Sequence, residues 1–158
     1  MTHDAFVQMI IGMQGTLYRI SAGLLRQPCD QEDAVQSVLE KALRKKAALR
    51  DEHNLQGWIV RILINECYAL LRKRKRELPM EELPEPVVPQ GADKDLYRFF
   101  CGLPDKLRLP MVLFYVEGYS MKEIASLLHL PGGTVKSRLS RGRNQMRQDD
   151  AFKEVQDL

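Results

Sequence analysis

Cysteine, histidine and tryptophan are scarce in this chain of 158 residues, which has three, three and one of them. Cys29, Cys67 and Cys101 form no C-x-x-C pair and have no histidine nearby, so the spacing of a structural zinc site is missing. An odd cysteine count also argues against a disulfide framework. The three are expected to be partly buried small residues. His3, His53 and His129 are scattered, no serine or cysteine sits beside a base in a recognisable catalytic motif, and no Gly-rich phosphate loop occurs. Nothing here points to an enzyme, a cofactor, a metal or a small-molecule substrate. No apolar run approaches the roughly 18 residues of a membrane span, and the first residues lack a cationic secretory n-region. A reducing cytoplasm is the expected compartment.

What the chain does have is charge in blocks. Residues 1–77 carry 13 Lys and Arg against 9 Asp and Glu, and residues 94–158 carry 11 against 8. Between them, residues 78–93 hold four acids, no base, and four of the eight prolines. Proline at that density admits neither helix nor central strand, so 78–93 is expected to be an acidic linker stiffened toward extended conformations. Two basic blocks flanking it suit two surfaces that face one polyanion.

Both blocks have helical periodicity. Over residues 4–26, Phe6, Ile10, Met13, Leu17, Ile20 and Leu24 recur in steps of three and four, predicting one helix that Pro28 stops. A second is expected from about Asp30, with Ala34, Val35, Val38, Leu39, Ala42 and Leu43 inward and Arg44, Lys45 and Lys46 at its cationic end. A third runs over about 54–77, with Leu55, Ile59, Ile62, Leu63, Leu70 and Leu71 inward. In the second block, a stripe of Leu96, Phe99, Phe100 and Leu103 is followed by a helix over 105–116, broken or bent around Pro110. No segment reads as a strand. The expected fold is all-α: two small helical domains, 1–77 and 94–158, joined by the Pro-rich acidic linker.

Two constellations bear on function. Ser120 and Glu123 have the spacing of a capping box opening a short helix. A turn at Leu130-Pro131-Gly132-Gly133 follows, and Thr134 is expected to cap a final basic helix. This order makes a helix-turn-helix, whose second helix enters the major groove. Val135, Leu139 and Met146 would face inward, leaving Lys136, Ser137, Ser140 and Arg141 as donors for base edges and phosphates. Arg138 and Arg143 are supporting charges. On the third helix, Trp58, Arg61, Asn65, Tyr68 and Arg72 recur at steps of three and four on a face beside the apolar one. A ring that stacks, an amide that bonds base edges and arginines that hold phosphates are the tools for single-stranded nucleic acid. That helix ends in five consecutive cations, Arg72 to Arg76. Taken singly, Trp58 fits a core and the basic run fits a solvated helix end; sharing one helix favours the binding reading.

Leu103-Pro-Asp-Lys-Leu-Arg108, Tyr115-Val-Glu-Gly-Tyr-Ser120, Lys122-Glu-Ile-Ala125 and Pro131-Gly-Gly-Thr-Val-Lys-Ser-Arg138 resemble the promoter-upstream-binding domain of extracytoplasmic-function (ECF) sigma factors. Asp33-Ala-Val-Gln36 and Trp58-Ile-Val-Arg-Ile-Leu-Ile-Asn65, with the basic tract, resemble that family's first domain. The motifs fall in family order over nearly the whole chain. The resemblance implies a transcription initiation factor that binds core RNA polymerase, with Asp33, Gln36 and Glu40 on the beta-prime clamp helices and further contacts to the beta subunit. It implies that Trp58, Arg61, Asn65, Arg72 and Lys73 engage the minus-ten box and hold a flipped base, whose lost stacking a pocket must offset. It gives Thr134, Lys136, Ser137, Arg138, Ser140 and Arg141 the minus-thirty-five box, sends the linker toward the RNA exit path, and implies an anti-sigma partner.

The chain departs from the family at Ser37, where an acid is usual, and at Leu39, where an aromatic is usual; Asp33 and Glu40 therefore carry more of the core contact. Gly132 also stands where a bulkier residue is common. The competing reading with the same helix-turn-helix is a stand-alone transcription regulator, which would bind promoter DNA tightly without polymerase. An adaptor bundle with incidental basic surfaces is a third reading.

Overall fold

The computed structural model describes residues 1–49, 54–77 and 94–149, and among these every regular element is helical. The chain divides into two compact units, one containing α1–α4 and the other α5–α8.

In the first unit, α1 (His3–Gly12) and α2 (Gln14–Leu24) replace the single helix expected over 4–26. The break is at Met13, whose N–H is shared between the carbonyls of Met9 and Ile10 at 3.1 and 3.0 Å. Gly12 and Gly15 flank it, and glycine costs a helix about 1 kcal/mol relative to alanine. Phe6, Ile10, Met13, Leu17 and Ile20 remain buried on both sides of the break, so the apolar period survives it. Pro28 does not merely follow a helix. It opens α3 (Pro28–Lys45) in its first turn, where a missing N–H costs nothing. The carbonyl end of α2 is served by Gln31, itself buried, whose Nε2 donates to Leu25 O at 2.9 Å.

Helix α4 (Leu55–Glu77) packs on both α2 and α3. Its buried face is Leu55, Ile59, Val60, Leu63, Ile64 and Cys67. Ile62, Leu70 and Leu71, expected inward, are only half-buried. The inward face is thus turned toward Val60 and Ile64, and its last fully buried member is Cys67. On α3, Ala34, Val35, Val38 and Ala42 are buried, Leu39 is half-buried and Leu43 is exposed. An ion pair between Lys41 of α3 and Glu66 of α4 joins the two helices outside this core.

The second unit begins with α5 (Lys94–Gly102) and α6 (Asp105–Met111), the latter continuing into a π-helical turn over Val112–Val116. Pro110 lies inside α6 and cannot donate to the preceding turn; the helix does not stop but widens just after it. Arg108 is buried, and its guanidinium donates to the carbonyls of Phe100, Cys101 and Leu103 at 2.9, 3.2 and 2.8 Å. One side chain thereby closes the end of α5, where helix carbonyls lack intrahelical partners.

Helix α7 (Met121–Leu128) opens with the expected capping box, each bond 3.1 Å long. It ends on His129, which takes the left-handed conformation at φ 54°. The Leu130 N–H then returns to Ala125 O at 3.0 Å, closing the helix end. His129 is exposed, so it terminates the helix by backbone shape and not by packing. Helix α8 (Gly132–Gln148) starts three residues earlier than expected, with Pro131 at the N-cap. Thr134 therefore lies within the first turn and does not cap it. Pro131, at φ −60° and ψ 146°, holds the N-cap position, and no side chain caps the helix.

Candidate nucleic-acid interface

Helix α3 presents its outward face on the first unit. Asp33, Gln36 and Glu40 are all exposed, spaced by three and four residues and therefore stacked along one side. Ser37 and Leu39, beside them, are half-buried. The result is a polar, acidic strip opposite the buried Ala34, Val35, Val38 and Ala42. A strip of this kind suits a partner bearing complementary cations and donors.

Helix α4 has the contrary sign. Trp58 and Arg61 are half-buried, Asn65 is exposed, Tyr68 is half-buried, and Arg72 and Lys73 are exposed. They follow one another along the side of α4 that adjoins its buried face. Trp58 is thus neither a fully buried core residue nor a fully exposed surface ring. Asn65 lies two turns further on, an order that suits stacking followed by base-edge bonding.

The five-cation tract at the end of α4 is not uniform. Arg74 turns back to Asp30 in the first turn of α3, its Nε and Nη2 reaching the carboxylate at 3.0 and 2.6 Å. The Asp30 side chain is 6% exposed against 38% for that of Arg74. This bidentate bridge pins the end of α4 to the start of α3. Arg72, Lys73 and Arg76, all exposed, add positive charge to that surface. No sequence signal marks a pair 44 residues apart; only a helix-initial acid and a distant basic run were visible.

On the second unit, α8 buries Val135, Leu139 and Gly142 and exposes Lys136, Ser137, Ser140 and Arg141. Thr134 and Arg138 are half-buried beside them, and Met146 is half-buried as well. The donors expected on one face do share it. Beside that face lies a groove of about 340 Å³, lined by Lys106 and Leu107 of α6 together with Gly133, Thr134, Ser137, Arg138 and Arg141 of α8. Lys106 was not singled out by periodicity, because only the packing of α6 on α8 places it here.

The expected linker, 78–93, lies outside the described residues, as does the C-terminal part of the second domain beyond 149. Among the described residues, no helix is long and apolar enough to cross a membrane.

Comparison with known proteins bears on both units. Residues 9–77 match the family profile "Sigma-70 region 2", and residues 94–146 match "Sigma-70, region 4". The chain is 30% identical over 148 residues to the ECF RNA polymerase sigma factor SigM of Mycobacterium tuberculosis, covering 90% of this chain and 75% of that protein. It is 26% identical over 151 residues to RNA polymerase sigma factor SigV of Bacillus subtilis, covering 92% and 91%. Its structure is similar to that of the sigma factor RpoE in complex with the anti-sigma factor NepR from Bartonella quintana. That match has a TM-score of 0.79 and 30% identity, over 91% of this chain and 95% of the other. CnrH, solved with the cytosolic domain of CnrY, shares the fold at a TM-score of 0.70 and 21% identity.

Proposed function

The chain belongs to the sigma-70 family, in its ECF group, and is a transcription initiation factor; from that premise we propose how its exposed faces divide the work. The acidic strip of α3, with Asp33, Gln36 and Glu40, docks on the clamp helices of the beta-prime subunit of core RNA polymerase, and other surfaces meet the beta subunit. The α4 face, with Trp58, Arg61, Asn65, Arg72 and Lys73, binds the minus-ten region as its strands separate. Helix α8 reads the minus-thirty-five box as duplex through Lys136, Ser137, Ser140 and Arg141, with Thr134 and Arg138 beside them. The domains are 1–77 and 94–158, and 78–93 ties them together.

One observation carries this reading. On the first unit, exposed Asp33 and Glu40 line one side of α3, while exposed Arg72 and Lys73 lie near the end of α4. A protein-binding face and a nucleic-acid-binding face therefore coexist without neutralising each other. The family's region 2 fills the place where a stand-alone regulator would carry a sensor or dimerisation domain. The chain does no chemistry of its own; catalysis belongs to the polymerase. It works in the cytoplasm at the nucleoid and is restrained by an anti-sigma protein that covers its polymerase-binding faces; the similar sigma factor RpoE was solved in complex with an anti-sigma factor, NepR.

The test is reconstitution with core polymerase followed by genome-wide mapping of transcript starts. A shared two-box promoter upstream of the new starts is the expected result. Competition against a second sigma factor should show Asp33→Lys losing core association. Failure of the wild-type chain to join core, or tight promoter binding by the chain alone, would overturn the reading.

A further inference from the structure

The charges in the first turn of α6 are sorted by the fold. Arg108 is buried against the end of α5, and Asp105 lies 3.4 Å from it. Leu107 is buried. Lys106 is exposed and lines the groove beside α8, where Arg138 and Arg141 supply two more cations and Thr134 and Ser137 two hydroxyls. Among the described residues, no carboxylate lines that groove. Asp105, the acid next to Lys106 in sequence, pairs with Arg108 instead. The groove is thus a concave, positive, donor-rich surface of about 340 Å³, roomy enough for a phosphate group.

Lysine presents a compact point charge on a flexible stem, without the planar fork that makes arginine selective for a guanine edge. Such a group holds a phosphate and carries no sequence information. We infer that Lys106 is a positioning residue for promoter DNA: it binds a backbone phosphodiester flanking the upstream box, with Thr134 and Ser137 donating to the same strand. The anchor stands on α6, outside the helix-turn-helix, and so fixes the angle at which α8 enters the groove. Arg141 is left to read bases. This inference rests on the assignment of α8 to the upstream box.

The experiment uses holoenzyme carrying either the wild-type chain or Lys106→Gln. Binding to promoter fragments is measured against salt, and again with single methylphosphonates stepped along the upstream box. The variant is expected to lose about one unit from the slope of log K against log salt, the amount set by one phosphate contact. It should weaken all upstream-box sequences alike and keep their ranking. One methylphosphonate that weakens wild type should leave the variant no weaker. An unchanged slope, or a changed ranking of box sequences, overturns the anchor. If wild-type holoenzyme itself fails to distinguish upstream boxes, the assignment of α8 falls first, and that result is separable because it needs no variant.

Discussion

Gly142 of α8 lies so close to Met111 of α6 that a Cβ at this position would sit 2.5 Å from the methionine Sδ and 2.7 Å from its Cγ. Met111 is fully buried, so its side chain has no open space to retreat into. The contact seats the recognition helix on the scaffold and explains a glycine in mid-helix that propensity alone would disfavour.

Two effects compete in Gly142→Ala. Alanine gains about 1 kcal/mol of helix propensity, while overpacking a closed core costs about 1–3 kcal/mol. The clash reaches two atoms of a fully buried side chain, so overpacking should win. The expected outcome is a lower melting temperature for the second unit and weaker upstream-box binding. Met111→Ala should reverse the sign of the substitution at 142. A double-mutant cycle by urea denaturation checks both; additivity would show that the two residues do not meet.

Arg72, Lys73 and Arg74 are neighbours in sequence with different tasks. Arg74→Ala strips two hydrogen bonds from a carboxylate that is 6% exposed. Fully buried pairs cost about 3–5 kcal/mol when broken this way. Because Arg74 is itself partly solvated, a loss nearer 2 kcal/mol of stability in the first unit is expected. Lys73→Ala should stay within about 0.5 kcal/mol of wild type and instead flatten the salt dependence of promoter binding. Equal stability losses for the two variants would refute the division.

The helices were largely legible, because a period of three and four survives even where the backbone does not stay regular. Ile10, Met13 and Leu17 stay on the buried side across the break at Met13, and that continuity is why one helix was expected where two exist. The exposed donors of α8 and the acids of α3 were legible for the same reason: a helix face is set by spacing. What spacing does not encode is contact between elements. Nothing in the chain announces that Arg74 returns to Asp30, that Arg108 turns inward to close α5, or that Lys106 comes to lie beside Arg138. The start of α8 was misplaced for a local reason. Threonine is a strong N-cap residue in general, yet Pro131 already supplies the extended backbone and takes that role here.

Arg141 and Asn65 offer a separation of function. Arg141→Ala should weaken recognition of the upstream box by about 1–3 kcal/mol, the scale of one lost base contact, and relax preference at one base pair. Asn65→Ala should leave core association intact and impair strand opening. Permanganate reactivity of thymines in the minus-ten region distinguishes them: reduced for Asn65→Ala at saturating holoenzyme, normal for Arg141→Ala at saturation. Wild-type footprints for Asn65→Ala would remove it from the melting face.

Cys67 supplies a prediction in pH. It is fully buried on α4, and burial, aided by the neighbouring Glu66 carboxylate, pushes its thiol from the ordinary 9.0 up to about 12. Below pH 9 the thiol is protonated in both folded and unfolded chains, and its contribution does not vary with pH. Between 9 and 12 the unfolded chain releases the proton while the folded chain keeps it, so stability falls as pH rises. The slope approaches about 1.4 kcal/mol per pH unit. Cys67→Ala should lower stability at pH 7 by leaving a small void, yet lose less than wild type between pH 9 and 11. Urea denaturation across that range checks the difference. At pH 8 a thiol reagent should label exposed Cys29 quickly and reach Cys67 only when the first unit unfolds. Rapid labelling of Cys67 in the native chain would contradict its place in the core.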